Sequence, residues 1–177
     1  MNDIQKNLTR YLEMEGVLNR FFLAFNYCFE HCIKKALEKS GGKPVAACCQ
    51  NKYYRLYDLD HPAFDLLRAE REKRFGAPGD YTWPDPVSPC EYHNPAGGCV
   101  LTTHKSPVCL AFMCRESIEV LRERFGIYAY DYLGMHYALE WTLTGDFSDN
   151  RYGELRKSIQ SMIATIETKR GGKIVKP

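Results

Sequence analysis

The 177 residues contain no uninterrupted apolar stretch approaching the roughly 18 that a membrane-spanning helix needs. Residues 1–10 mix Asp3, Lys6 and Arg10 with Ile4 and Leu8, so the basic start and apolar middle of a secretory leader are missing too. Charge of one sign is scarce: 24 basic against 22 acidic side chains leave a formal net charge of +2, which creates no global field toward nucleic acid or a membrane surface. A local basic excess occurs only near the end, where Arg151, Arg156, Lys157, Lys169, Arg170, Lys173 and Lys176 outnumber Glu154 and Glu167. It reads as a solvated helix face. No glycine-rich phosphate loop, dinucleotide fingerprint or Gly-x-Ser-x-Gly nucleophile turn is present. These absences predict a soluble, cytoplasmic protein with no nucleic-acid and no membrane partner.

Cysteine, by contrast, is plentiful, with eight among the 177 residues. That is too few for a stapled mini-protein, and the chain is long enough to bury a core as one domain without staples. In a reducing cytosol such a set is more often metal-binding or catalytic than disulfide-bonded. The positions are Cys28, Cys32, Cys48, Cys49, Cys90, Cys99, Cys109 and Cys114. No pair has the two-residue gap of a zinc knuckle, whose tight turn aims two thiolates at one ion, and bacterial ferredoxin spacing is absent for the same reason.

The periodicity of the apolar residues is helical at both ends. Ile4, Leu8, Tyr11, Leu12, Leu18, Phe21, Phe22, Phe25, Cys28, Phe29, Cys32, Ile33 and Ala36 recur at intervals of three and four, predicting one long helix or two short-linked ones across 1–42, with Gly16 as a candidate interruption. A helix is predicted from Pro62, whose fixed φ suits the first helical position, to Phe75, with Gly76 as its stop. Three more are predicted over 115–125, 131–144 and 152–169, the last capped by Ser148 or Asp149. Tyr53, Tyr54, Leu56 and Tyr57 suggest a short extended segment, while the prolines and glycines of 77–98 exclude regular structure there. A loop of that length in a small domain calls for an anchor other than packing. The expected fold is one all-α domain with N-terminal helices over 1–42, a long cysteine-rich irregular insert over 45–114 that includes one helix and binds metal, and C-terminal helices over 115–170.

The segment Pro89-Cys90, Gly98-Cys99-Val100-Leu101 and Pro107-Val108-Cys109-Leu110-Ala111-Phe112, preceded by Ala47-Cys48-Cys49, resembles the YkgJ-type cysteine-cluster family. Members of that family are described as zinc- or iron-chelating proteins, and flagellin lysine N-methylases carry a related motif. The chain keeps the nine-residue gap between Cys99 and Cys109 and the proline two before Cys109. It departs at Ser106 and Leu110, where the family has arginines, and in the distance of Cys28 and Cys32 from the adjacent pair. The resemblance spans about Val45 to Cys114 and implies Cys48, Cys49, Cys90, Cys99 and Cys109 as metal ligands.

Soft thiolates select zinc, copper(I) or iron–sulfur clusters over calcium and magnesium. Four cysteines suffice for a 4Fe-4S cluster, and backbone N–H groups of Gly97-Gly98 are candidate donors to its sulfurs. Cys114, at the start of a predicted helix whose positive end favours a thiolate, completes the metal set of Cys48, Cys49, Cys90, Cys99, Cys109 and Cys114. Cys28 and Cys32 share a helix face and suit either core packing or ligation. His93 and His104 are candidates to complete a mixed site; His61 reads as a helix-start residue and His136 as a satisfied core or pocket histidine. His31 lies beside the helical cysteine pair. The tyrosines Tyr128, Tyr130, Tyr132 and Tyr137 are expected to pack between helices.

The leading expectation is an iron–sulfur protein, 4Fe-4S ahead of zinc, serving electron transfer or cluster-dependent modification of an unknown partner protein. The alternatives are a zinc-stabilised interaction domain and a metal-dependent methyl- or other group-transfer enzyme with a pocket at Tyr128, Tyr130 and His136.

Overall fold

In a computed structural model, the residues described are 3–39, 60–78, 92–94 and 98–171. They are predominantly helical, as the sequence period requires. Helix α1, Asp3–Ala24, runs through Gly16 without a break. A Cβ at Gly16 would meet nothing within 4 Å, so this glycine sits on the solvent side and weakens the helix by about 1 kcal/mol without ending it. The regular helix stops instead at Phe25 and Asn26, and Cys28–Ile33 then forms a π-helical segment that passes into α2, Lys34–Lys39. Helix α3, Pro62–Phe75, starts where the proline predicts, with His61 as its N-cap: the Nδ1 atom accepts a hydrogen bond from Ala63 N at 3.2 Å.

A strand pair and a short helix form where no regular element was expected. Residues His93–Asn94 (β1) and Gly98–Cys99 (β2) pair antiparallel, with His93 opposite Cys99 and Asn94 opposite Gly98. A further bond from Val100 N to Tyr92 O at 2.8 Å extends the ladder. The paired residues are flanked by Tyr92 and Leu101, both buried, which pack together. The second unforeseen element is α4, Pro107–Ala111. Buried Ser106 precedes it, and its Oγ accepts a hydrogen bond from Cys109 N at 3.3 Å, the geometry of a serine N-cap followed by proline at the first helical position.

Helices α5, Arg115–Phe125, α6, Tyr132–Thr144, and α7, Asp149–Gly171, follow the predicted order. Asp131 caps α6, its carboxylate accepting from Leu133 N at 3.1 Å. Gly126 and Gly145 end α5 and α6 at φ +66° and +97°, a backbone region that strains side chains with a Cβ. The segment expected at 53–57 falls outside the described residues.

The chain divides into two compact units, Met1–Asn26 with Leu110–Pro177, and Tyr27–Cys109. In the first, α1 packs against α6 and α7, and α5 against α7. Its interior is built from Leu8, Tyr11, Met14, Leu18, Phe21 and Phe25 of the N-terminal segment with Leu139, Leu143, Ile159 and Ile166, all at most 2% exposed. Each such side chain stabilises the fold by roughly 1.5–3 kcal/mol. Phe21 stacks on Tyr130 with ring centroids 5.2 Å apart, and Phe25 meets Phe125 edge-on at 5.8 Å. Lys169 Nζ donates to Phe125 O at 2.8 Å, satisfying a carbonyl at the end of α5 and tying α7 to it. In the second unit, Phe64 and Leu67 of α3 are buried, and Phe75 and Cys109 pack against the Tyr92–Leu101 pair.

Candidate metal centre

Six cysteines carry the expectation of metal binding, and three of them, Cys48, Cys49 and Cys90, fall outside the described residues. The other three sit on separate elements. Cys99 ends β2 and is exposed. Cys109 lies in α4 and is partly buried against Tyr92 and Leu101. Cys114 is the N-cap residue of α5, with its Sγ 3.2 Å from Ser117 Oγ. The same hydroxyl donates to Cys114 O at 2.8 Å, so a local Ser117 turn organises this position. Among the described residues no three His, Cys, Asp or Glu side chains converge as a metal-holding group.

Both Cys99 and Cys109 belong to the second unit. Tyr92 immediately precedes β1; Leu101 follows Cys99 by two residues; Cys109 packs on the pair they form. Behind them lies α3. Arg71 of that helix is only 2% exposed, and its guanidinium lies over the Tyr92 ring, 5.2 Å from the centroid. Tyr92 in turn donates its hydroxyl to Gly76 O at 3.4 Å, so the C-terminal end of α3 holds the ring in place. An arginine stays charged when buried, and a cation on an aromatic face gains up to about 2 kcal/mol once desolvated. Tyr92, next to the β1–β2 pair, therefore carries a permanent, buried positive charge on its ring, which sequence periodicity alone did not disclose.

His104, between Cys99 and Cys109 in sequence, is also buried, at 3% exposure. Its φ of +58° places it in the left-handed region, which histidine adopts more readily than most non-glycine residues but still at a cost. Burial lowers its pKa from the ordinary histidine value, with Arg74 and Arg71 adding to that shift and Glu70 opposing it. His104 thus resists protonation more than an ordinary histidine does. The side chain of His93 lies outside the described residues; its backbone opposes Cys99.

The helical pair Cys28 and Cys32 is partly buried and falls within the π-helical segment rather than an ordinary α-turn. Such segments are rare and recur at functional sites. His31 points outward and stacks on Tyr27, ring centroids 4.1 Å apart. In the first unit, His136 Nε2 lies 2.8 Å from Glu140 Oε1, both side chains largely buried. The tyrosine group behaves differently from the packing reading. Only Tyr130 is interior, donating its hydroxyl to Ala111 O at 2.8 Å. Tyr128, Tyr132 and Tyr137 are exposed, because α6 turns Met135, Ala138, Leu139, Thr142 and Leu143 inward and leaves its opposite face to solvent.

A groove of about 600 Å³ opens at the start of α5, lined by Phe112, Met113, Cys114, Arg115, Ile118 and Tyr132 among others. None of the pocket residues expected for a group-transfer enzyme, Tyr128, Tyr130 and His136, lines it. Among the described residues no helix is long and apolar enough to cross a membrane. Comparison with protein-family models, with curated proteins and with solved structures finds no match to this chain.

Proposed function

We propose that the chain is a metal-binding protein whose cysteine-rich segment holds an iron–sulfur cluster, with 4Fe-4S the favoured nuclearity, and exchanges electrons with a partner protein. The observation that carries this reading is the buried Arg71 cation seated on Tyr92, the ring whose small cluster with Leu101 also packs Cys109. Thiolates are favoured over thiols where a fixed positive charge is near, and thiolate is the ligating form. Arg74 beside His104 adds to the same cationic surroundings. A thiolate-ligated cluster carries net negative charge, so a buried guanidinium offsets the desolvation that such a group suffers in an apolar interior.

The donors fit soft-metal chemistry. Cys99 and Cys109 would each supply a thiolate, with further sulfur ligands from Cys48, Cys49 and Cys90 and with Cys114 as an added candidate. The cluster would provide a one-electron store. The chain's own contribution is to orient the two thiols by the β1–β2 pairing and by the serine-capped turn of α4, to supply the cation, and to lower the proton affinity of His104. Exposure of Cys99 leaves this edge of the segment open to a redox partner.

Anaerobic purification followed by metal and acid-labile sulfide analysis tests the reading. A brown protein with matched iron and sulfide, lost in Cys99→Ser and Cys109→Ser variants that retain helical circular dichroism, is the expected result. A colourless protein with stoichiometric zinc, or a metal content unchanged by both serine substitutions, overturns it.

A further inference from the structure

The buried stripe of the N-terminal segment thins after Tyr27. Phe21, Phe25 and Tyr27 are at most 8% exposed, whereas Cys28 and Cys32, which continue the stripe, are only partly buried. Cysteine is among the residue types most often fully buried when its role is packing. Packing alone therefore does not account for this pair. The backbone that carries it is also unusual: Lys34 N donates to Phe29 O, five residues back, so a π-turn replaces the α-turn over Cys28–Ile33. Such turns are rare and recur at functional sites.

We infer that Cys28 and Cys32 form a two-thiolate site for copper(I), separate from the cysteines assigned to the iron–sulfur cluster. Residues four apart project from adjacent helical turns on one face, with Cβ atoms about 5–6 Å apart. A disulfide needs Cβ atoms about 3.5–4.5 Å apart, so the pair does not close on itself while the helix is intact. A bridging ion fits. With metal–sulfur bonds of about 2.3 Å, the length of a zinc–thiolate bond, one ion spans up to about 4.6 Å between the sulfurs, a separation that rotation of the two side chains about χ1 reaches.

The number of ligands selects the metal. Thiolates hold zinc, iron–sulfur clusters and copper(I), but structural zinc and the clusters take four protein ligands. Among the described residues no three His, Cys, Asp or Glu side chains converge to hold an ion. His31, whose spacing from Cys28 suits a third ligand, is instead stacked on Tyr27, ring centroids 4.1 Å apart. Copper(I), a soft ion with a filled d shell, is satisfied by two thiolates in a line.

Two thiolates around one monovalent ion leave a single negative charge. Lys35, exposed and three residues beyond Cys32, stands on the same side of the helix to offset it. Linear coordination also leaves the ion open to attack by a third thiolate. Copper held on this half-buried turn therefore passes to an incoming thiol by ligand exchange.

Anaerobic titration of the full chain with copper(I), against a chromogenic copper(I) chelator, tests the proposal. Cys28→Ser and Cys32→Ser each take up one tightly held equivalent fewer than wild type, the lost site being weakened by about 100-fold or more because one thiolate no longer chelates. Iron and sulfide content and helical circular dichroism stay at their wild-type values. A double variant, Glu30→Cys with Cys32→Ser, keeps the thiol count but sets the two cysteines two positions apart, on different sides of the helix, and does not recover the equivalent. Equal copper uptake by wild type and both single variants overturns the proposal, as does recovery in the double variant. Loss of iron and sulfide in either single variant overturns it too, since the pair would then belong to the cluster. The copper difference is read against wild type whether or not a cluster is bound, so failure of the iron–sulfur reading is seen separately.

Discussion

Acidification should destabilise this protein through His104, and the size of that loss is bounded by the structure. The imidazole is almost wholly buried, and burial together with Arg74 and Arg71 holds its pKa below the ordinary 6.5, while Glu70 acts in the opposite direction. The unfolded chain accepts a proton near pH 6.5 and the folded chain resists it, so between the two pKa values the unfolded state binds more protons. Stability is then fully present above pH 6.5 and falls as pH drops through that value, levelling only below the folded pKa. One proton contributes at most about 1.4 kcal/mol per pH unit, so at pH 5.5 the His104 term reaches at most about 1.4 kcal/mol. For a chain of this length that corresponds to a lowering of the melting temperature of about 3–5 °C.

The assay is denaturant unfolding followed by circular dichroism at pH 7.5 and 5.5, comparing wild type with His104→Asn. Asparagine tolerates the left-handed backbone at φ +58° and cannot titrate, so the variant keeps the local fold while losing the pH term. Other groups titrate in both proteins and cancel in the difference. His31→Gln, at an exposed position, serves as the control and leaves the difference unchanged. If His104→Asn has the same pH dependence as wild type, burial and the neighbouring Arg74 and Arg71 do not lower the His104 pKa, and the reasoning fails.

Other consequences are open to direct measurement. Replacing Arg71 by Met keeps the buried volume and removes the cation: the loaded protein should show a lower reduction potential, since the reduced cluster carries the extra negative charge, and an unchanged potential would mean that Arg71 does not face the site. Tyr130→Phe deletes the hydroxyl that satisfies Ala111 O and should cost about 1–2 kcal/mol in urea unfolding with no change in helical content. Phe21→Ala removes a fully buried ring that stacks on Tyr130, with an expected loss of about 3–5 kcal/mol. Gly145→Ala should destabilise by about 1–2 kcal/mol because of its φ of +97°, and Asn7→Ala in the same chain should recover only part of that loss. A Cβ at position 145 meets Asn7 Nδ2 at 2.6 Å, and the backbone strain remains after that contact is removed.

Most of the helices were legible in the chain because their signals are local. Pro62 and Gly76 bracket α3, Asp131 and Gly145 bracket α6, and the apolar period of the C-terminal segment needs only neighbours three and four residues apart. Where the reading missed, a non-local partner or a weak local signal decided. The β1–β2 pair forms where Tyr92 and Leu101 pack together, a contact between residues nine positions apart that proline and glycine content does not measure. The α4 turn did leave a trace, the Ser106-Pro107 cap, which was hidden by reading those residues only as part of a cysteine spacing.

The sequence by itself determined the predominantly helical class, the order of the C-terminal helices and the supply of thiols, because helix caps, period and residue chemistry are written within a few positions of each other; α7 nevertheless begins at Asp149, three residues before the predicted start. Which side of α6 faces water, where a buried arginine comes to rest, and which cysteine shares a cluster with which aromatic ring were decided by tertiary structure. A 3.6-residue period fixes that a helix has two faces; only packing against α1 buries Leu139 and leaves Tyr137 and Trp141 outside. Likewise, Arg71 is one basic residue among several in α3 until the fold lays Tyr92 over it.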